Sequence, residues 1–452
     1  MAHKDLEANR ECDVPVNMAT VNEGGITPGT QASSNRITLS KWYRLFLRGY
    51  VEENGIRPVP PEERTETQHS NLFTVFFTGL LCILPIPTGA LGTVLFGLGL
   101  RDISLIIIVF NIVTCLPPAF ISLGGYKTGM RQMVQARYSF GCRVNRYRAL
   151  HLWQKWQWLP SLIAIVIAVG CGGKYLVNQA DHEPATVKNV VGYGSLMAGY
   201  FMTFGGTVSD FTVYHTPEES KRKVFAYVYL GFLIPSTPLL ILGAAIGGAI
   251  PNVDSWQTAW IDYGLGGVMA EMLKPAGGFG KFVLVVMGLS IVGNMLLSYY
   301  SVALCLQMLI PAFAKVPRFV FVIVTLAIMV PMSIYAAAQW QTSLVNFLSM
   351  IGYWAGCFDA VVIEELVVFR NRDYGLLDPK IWDQGRKLPT GLAAIGASII
   401  SLGLVVPSMN TPWFTGPIGA KIGDIGFESA FFVTGIAYYP LRTLEIKLTG
   451  RV

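Results

Sequence analysis

Residues 224–249 read VFAYVYLGFLIPSTPLLILGAAIGGA, a run of 26 positions without a charged side chain. At 1.5 Å per residue a helix of this length reaches about 39 Å, more than the ~30 Å of hydrocarbon in a bilayer. Nine more apolar runs flank it, at 71–98, 102–123, 157–176, 192–212, 280–309, 318–336, 343–368, 389–407 and 427–441. Charges crowd into short islands between them. Of the 452 residues 52% are hydrophobic and only 14% charged, against roughly 25% charged in a soluble domain. The pattern predicts an all-α integral membrane protein of about ten spans. Internal Pro and Gly are compatible with this, because neighbouring helices re-satisfy the freed backbone groups.

The basic residues set an expected topology. With the N-terminus in the cytoplasm and ten crossings, the inner segments hold 28 of the 34 Lys and Arg residues. The other six, Arg101, Lys174, Lys188, Lys274, Lys281 and Lys421, fall in or beside the outer loops. Such asymmetry is the positive-inside pattern, so an even number of spans with both termini cytoplasmic is expected. The same argument accounts for the net charge of +6 without a nucleic-acid partner.

Residues 1–68 are polar, lack a signal-peptide core and read as a disordered cytoplasmic tail. The transporter domain is expected over 69–441, with a short cytoplasmic tail at 442–452. Residues 126–134 (YKTGMRQMV) read as a basic amphipathic stretch on the inner interface. The seven cysteines have neither metal nor redox spacing. No nucleotide-binding loop, His-containing metal motif or nucleophile elbow is present. The expectation is therefore a non-enzyme, without metal or cofactor.

Polar chemistry inside the spans is sparse and correspondingly informative, since membrane transporters bind solutes at interrupted helices near the bilayer midplane. The first span carries Leu84-Pro85-Ile86-Pro87-Thr88-Gly89, and Pro87 and Thr88 are candidate solute contacts. The fourth carries Thr203-Phe204-Gly205-Gly206-Thr207. There Phe204 could stack on a planar ligand and Gly205 would open the backbone; a plain kink is the alternative for both. Asn294 lies mid-span, and its amide both donates and accepts; it either meets the edge of a heterocycle or bonds another helix. Ser290, four residues before it, and Asp359 are candidates for cation coupling. A charge pair across helices is the other reading of Asp359, and a structural cap or ion pair that of Asp210.

These residues resemble the fungal purine–cytosine permeases of the nucleobase–cation–symport-1 family. The resemblance is carried by 51–65 (VEENGIRPVPPEERT), 129–141 (GMRQMVQARYSFG), 209–214 (SDFTVY), 300–304 (YSVAL) and 351–354 (IGYW), which occur in family order. It implies a LeuT-like fold of two five-helix inverted repeats plus two helices. It also implies proton-coupled import of cytosine, adenine, guanine or hypoxanthine across the plasma membrane. The base would lie between interrupted helices one and six and helices three and eight. Asn294 matches a family asparagine that hydrogen-bonds the base, and Phe204 stands where relatives carry a stacking tryptophan. The expected partners are thus a nucleobase, a coupling proton and the bilayer.

One departure is large. The family has twelve spans, and helices three and four should follow Gly141. Here the chain passes through Arg143, Arg146 and Arg148 directly to 150–156 (LHLWQKW), which resembles the end of helix four entering helix five. Two spans are expected to be missing, through divergence or through a mis-spliced gene. Two alternatives accompany the main reading. The scaffold could carry another heteroaromatic solute, such as a vitamin B6 compound or a thiamine precursor, or the chain could be a truncated membrane protein that does not transport.

Overall fold

The computed structural model describes residues 58–140, 156–309, 318–382, 384–385 and 387–451. Helices occupy all ten apolar runs. The first run is split into α1 (His69–Leu80) and α2 (Pro85–Val94), and the second into α3 (Leu100–Thr114) and α4 (Leu116–Thr128). There follow α5 (Trp158–Gly172), α6 (Val187–Met202), α7 (Lys221–Ala249), α8 (Asp254–Leu273), α9 (Gly277–Leu289) and α10 (Ile291–Leu309). The last four are α11 (Arg318–Ala337), α12 (Trp340–Glu364), α13 (Leu392–Ser408) and α14 (Gly426–Thr449). Among the described residues five helical stretches are long and apolar enough to cross a membrane, and α1–α2, bent by 50°, makes a sixth. The shorter or more polar α6, α12, α13 and α14 fill the remaining four runs.

The α1–α2 bend follows from Pro85. Proline favours the first helical position, where its missing N–H costs nothing, so α2 starts there and Leu81–Leu84 are left as the connector. The predicted break thus moves towards the N-terminus, and Pro87 and Thr88 lie within α2. Helices α2 and α7 approach backbone to backbone. A β-carbon on Gly89 would stand 1.9 Å from Leu240 O, and one on Gly243 would stand 2.1 Å from Ile86 O. Helix α6 gives way after Met202 to 3-10 turns at Thr203–Gly206 and Val208–Phe211. Helix α8, kinked at Gly264, was not among the predicted runs. Its three acidic residues Asp254, Asp262 and Glu271 keep it from reading as a span.

Contacts sort the connecting segments into two ends. Residues 58–69, 126–140, 210–221 and 374–382 meet at one, as in the bonds Val59 N to Gly129 O (2.8 Å) and Tyr138 OH to Asp378 O (2.6 Å). This basic end collects the segments expected inside. The opposite end holds 178–180, 248–252 and 420–424, joined by Ala180 N to Gly248 O (2.9 Å) and Lys188 Nζ to Ala420 O (3.1 Å).

Two expectations are corrected at the basic end. Residues 58–68, predicted to belong to a disordered tail, are packed: Glu66 N bonds Tyr214 O (3.1 Å) and Thr216 N bonds Glu66 O (3.2 Å). Arg64 holds this strap, donating to Val59 O (2.8 Å), Thr128 O (2.9 Å) and Lys127 O (3.2 Å), and so satisfies the last carbonyls of α4. The helix ends on Gly129 at φ 68°, where a β-carbon would lie 2.3 Å from the Arg64 guanidinium. The stretch 126–134, predicted to lie on the membrane interface, is buried instead, and Arg131 has no exposed surface. Its guanidinium finds acceptors in the protein, which removes the reason to seek water. Residues 1–57 and the junction at 141–155 lie outside the described residues.

Candidate functional site

The α1 break frees backbone groups, and α10 and the residue just before it supply their partners. Asn294 Nδ2 donates to Gly79 O at 3.0 Å, and Ile83 N donates to Ser290 Oγ at 3.0 Å. Leu297, one turn beyond Asn294, presses on the same place: a β-carbon on Gly79 would stand 2.3 Å from its Cδ1. From the other side Gln157, preceding α5, donates to Ser290 O at 3.1 Å, and Trp158 packs edge-on against Phe77 at 5.7 Å. Helix α5 therefore begins at the level of the break. Of the two alternatives for Asn294, the interhelical bond is made in this state. Gly79 takes one of its donors, and a primary amide carries a second N–H and an oxygen besides.

The α6 break is linked to α1 by rings. Phe204 packs on Phe232 of α7 at 5.0 Å, and Phe232 on Phe76 of α1 at 4.6 Å. Gly205 lies under Asp359 of α12, where a β-carbon would be 2.0 Å from Oδ1. Asp359 has no exposed surface, and neither carboxylate oxygen has a hydrogen-bond partner among the described residues. The expected charge pair is absent there. The Thr88 hydroxyl is taken up by the main chain at the edge of the break, donating to Leu84 O (3.4 Å), and its carbonyl accepts from Tyr193 OH (3.4 Å).

The predicted residues therefore fall into two groups, Asn294 and Ser290 at the α1 break and Phe204, Gly205 and Asp359 at the α6 break. Pro87 and Thr88 stand one turn off. Sequence reasoning missed Gly79 and Ile83, whose contribution is main-chain; the rule for proline at the first helical position was the signal. Cavities of 280 Å³ (between α3, α4, α6 and α14) and 520 Å³ (between α12 and α13) lie outside this constellation. No group of three His, Cys, Asp or Glu suited to a metal occurs among the described residues.

Residues 58–170 and 157–379 match the family described as permease for cytosine/purines, uracil, thiamine, allantoin. The chain belongs to that family. This permease is 29% identical to the purine-cytosine permease fcyB of Emericella nidulans, over 99% of both chains. It is 28% identical to the purine-cytosine permease FCY2 of Saccharomyces cerevisiae (93% of this chain, 91% of that one). It is 24% identical to the vitamin B6 transporter TPN1 of Saccharomyces cerevisiae (89% and 88%). Its fold is that of Mhp1, a nucleobase-cation-symport-1 family transporter solved in a closed conformation with bromovinylhydantoin bound. The TM-score is 0.61 at 13% identity, over 88% of this chain and 96% of that one. The expected LeuT-like inverted-repeat architecture is thereby met. The fcyB alignment runs over 507 positions against 452 residues, so at least 55 positions of the relative face gaps in the permease.

Proposed function

We propose that this permease imports purine bases and cytosine by proton symport, in the plasma membrane with both termini cytoplasmic. The observation that carries the reading is the Asn294–Gly79 bond. A base edge offers the paired donor and acceptor that an amide matches, so a base entering between α1 and α10 takes over Asn294 and releases Gly79 O. The affinity of the solute is then tied to the bend of the broken helix. Phe204 supplies a ring for the face of the base, and Gly205 the open backbone beside it. Ser290 holds Ile83 N and so keeps the bend in place.

Asp359 is the group assigned to the proton. An ionised carboxylate without a partner in a dry interior costs several kcal/mol, a cost that a bound proton removes. Proton loss at this position therefore favours a change in packing at the α6 break, which is what coupling needs.

Uptake of radiolabelled cytosine in yeast lacking its own base permeases tests both assignments. Adenine, hypoxanthine and pyridoxine serve as competitors, and surface expression is measured in parallel. Saturable uptake that Asn294→Ala abolishes, and that loses its dependence on external pH in Asp359→Asn, is the expected result. Competition by pyridoxine alone would favour a vitamin B6 compound, the reading that the likeness to TPN1 supports. The 55 or more unmatched positions favour a second reading, a chain that reaches the surface and moves nothing because two helices of the scaffold are lacking. Absent uptake from a chain present at the surface would exclude cytosine import, leaving either another solute or this second reading.

A further inference from the structure

We propose that Arg131 positions a gate at the basic end of the permease, and that the gate parts between Arg131 and Tyr300. The inference uses the permease fold and is independent of the choice of solute.

The end of α4, the strap at 58–68 and the segment after α6 are knitted into one block. Ser209 Oγ donates to Ile121 O (3.0 Å), and Thr212 Oγ1 to Ser122 O (2.8 Å). Gln132 N donates to Asp210 Oδ1 (2.9 Å), which is the capping role expected of Asp210, and Lys127 Nζ donates to Pro217 O. Arg131 lies at the centre, donating to Asp210 O and, at 2.9 Å, to Tyr214 OH. Gly125 lets α4 and the segment after α6 touch, since a β-carbon there would stand 2.0 Å from Thr212 Oγ1. Breaking the bonds of Ser209, Thr212, Gln132 or Arg131 strands a buried polar group, so the block moves as a unit.

Toward α10 the block presents rings. The Arg131 guanidinium is sandwiched between Tyr214 of the block, 5.2 Å from the ring centre, and Tyr300 of α10, at 5.6 Å. Phe211 tilts against Tyr300 at 5.7 Å. A cation over a ring can be parted with water taking its place, so the seam can open here. When it opens, Arg131 stays with the block by its hydrogen bonds and Tyr300 leaves with α10. Tyr300 is six residues along α10 from Asn294, about 9 Å in a helix. A shift of α10 that loosens the Asn294–Gly79 bond is carried by the same rigid element to the gate.

The test places a reporter, Ser301→Cys, beside Tyr300 in a chain cleared of native cysteines. Ser301 is 1% exposed. A membrane-impermeant maleimide is applied to each face of membrane vesicles, and Glu218→Cys marks the face that carries the basic end. Tyr300→Leu is expected to raise reporter labelling several-fold from that face alone, whereas Tyr300→Phe, which keeps a ring under the guanidinium, stays near the native rate. Tyr300→Trp, with the stronger cation acceptor, is expected to label more slowly than the native chain, and this comparison decides the matter where the leucine variant does not assemble. Equal labelling of all the variants and the native chain, or a rise from the opposite face, would overturn the proposal.

Discussion

Asp359 of α12 rests directly on Gly205 at the α6 break, its Oδ1 2.0 Å from where a β-carbon would stand. The absence of a side chain on one residue is what gives the carboxyl of the other its place. Gly205→Ala is therefore expected to destabilise the protein by about 1–3 kcal/mol through overpacking. In an Asp359→Ala background the same substitution should cost clearly less, because the two residues share one space. Thermal unfolding of the four purified proteins measures the coupling, and additive costs would contradict the contact.

A second prediction concerns Glu365, in the π-helical turn Glu365–Phe369 that follows α12. Its carboxylate is shared between Arg370 (2.9 Å) and Arg442 (3.0 Å) and accepts from Tyr438 OH (2.9 Å), with 4% of its side chain exposed. Glu365→Leu leaves the buried Arg370 without its carboxylate and Arg442 with Glu445 alone (3.2 Å), and should cost about 3–5 kcal/mol. Replacing Glu365, Arg370, Arg442 and Glu445 together by apolar residues, which leaves no charged member of the clasp unpaired, is expected to cost less than the single change. Melting temperatures in detergent separate the two outcomes.

The strap at 58–68 makes a third prediction, about length. A chain starting at residue 58 keeps every bond described for the strap, and its melting temperature is the reference for shorter chains. A chain starting at residue 70 loses them, and Arg64→Ala should reproduce most of that loss, about 2–3 kcal/mol for charged hydrogen bonds to the α4 carbonyls.

The fourth concerns pH. Asp424, in the connection between α13 and α14, is buried, and burial pushes its carboxyl above the ordinary range. Hydrogen bonds from Tyr353 OH (2.6 Å), Gly426 N (2.8 Å) and Asn410 N (3.2 Å) oppose the rise in part. The folded state then holds its proton more tightly than the unfolded one. Its contribution to stability is complete below the ordinary carboxylate range and fades as pH rises through the raised value. Melting temperature against pH should show this decline in the native protein and a flatter profile in Asp424→Asn.

Much of this architecture was legible beforehand, because a membrane imposes long charge-free runs and each of the ten became helix. Asn294 was legible for the same reason, as an amide in hydrocarbon demands a partner. What it bonds was not, since Gly79 contributes only a carbonyl and any residue has one. Arg131 was misread as interfacial because its acceptors, Asp210 O and Tyr214 OH, lie some eighty positions away in the chain and leave no local pattern. Helix α8 escaped because its apolar side is interrupted by acids. The strap escaped because a polar segment can pack through its main chain as well as any other.

The clasp around Glu365 also bears on how Asp359 is reached. Arg442 and Tyr438 tie the end of α12 to α14, and Glu445 continues the tie to Gly391 N at the start of α13 (3.1 Å). Asp359 stands six residues above that anchor. A helix moored at one end can tilt but not slide, so its far end travels while the carboxyl keeps nearly constant depth. If Asp359 carries the coupling proton as proposed, it does so as a stationary post, and water has to advance to it, first from one face and then from the other.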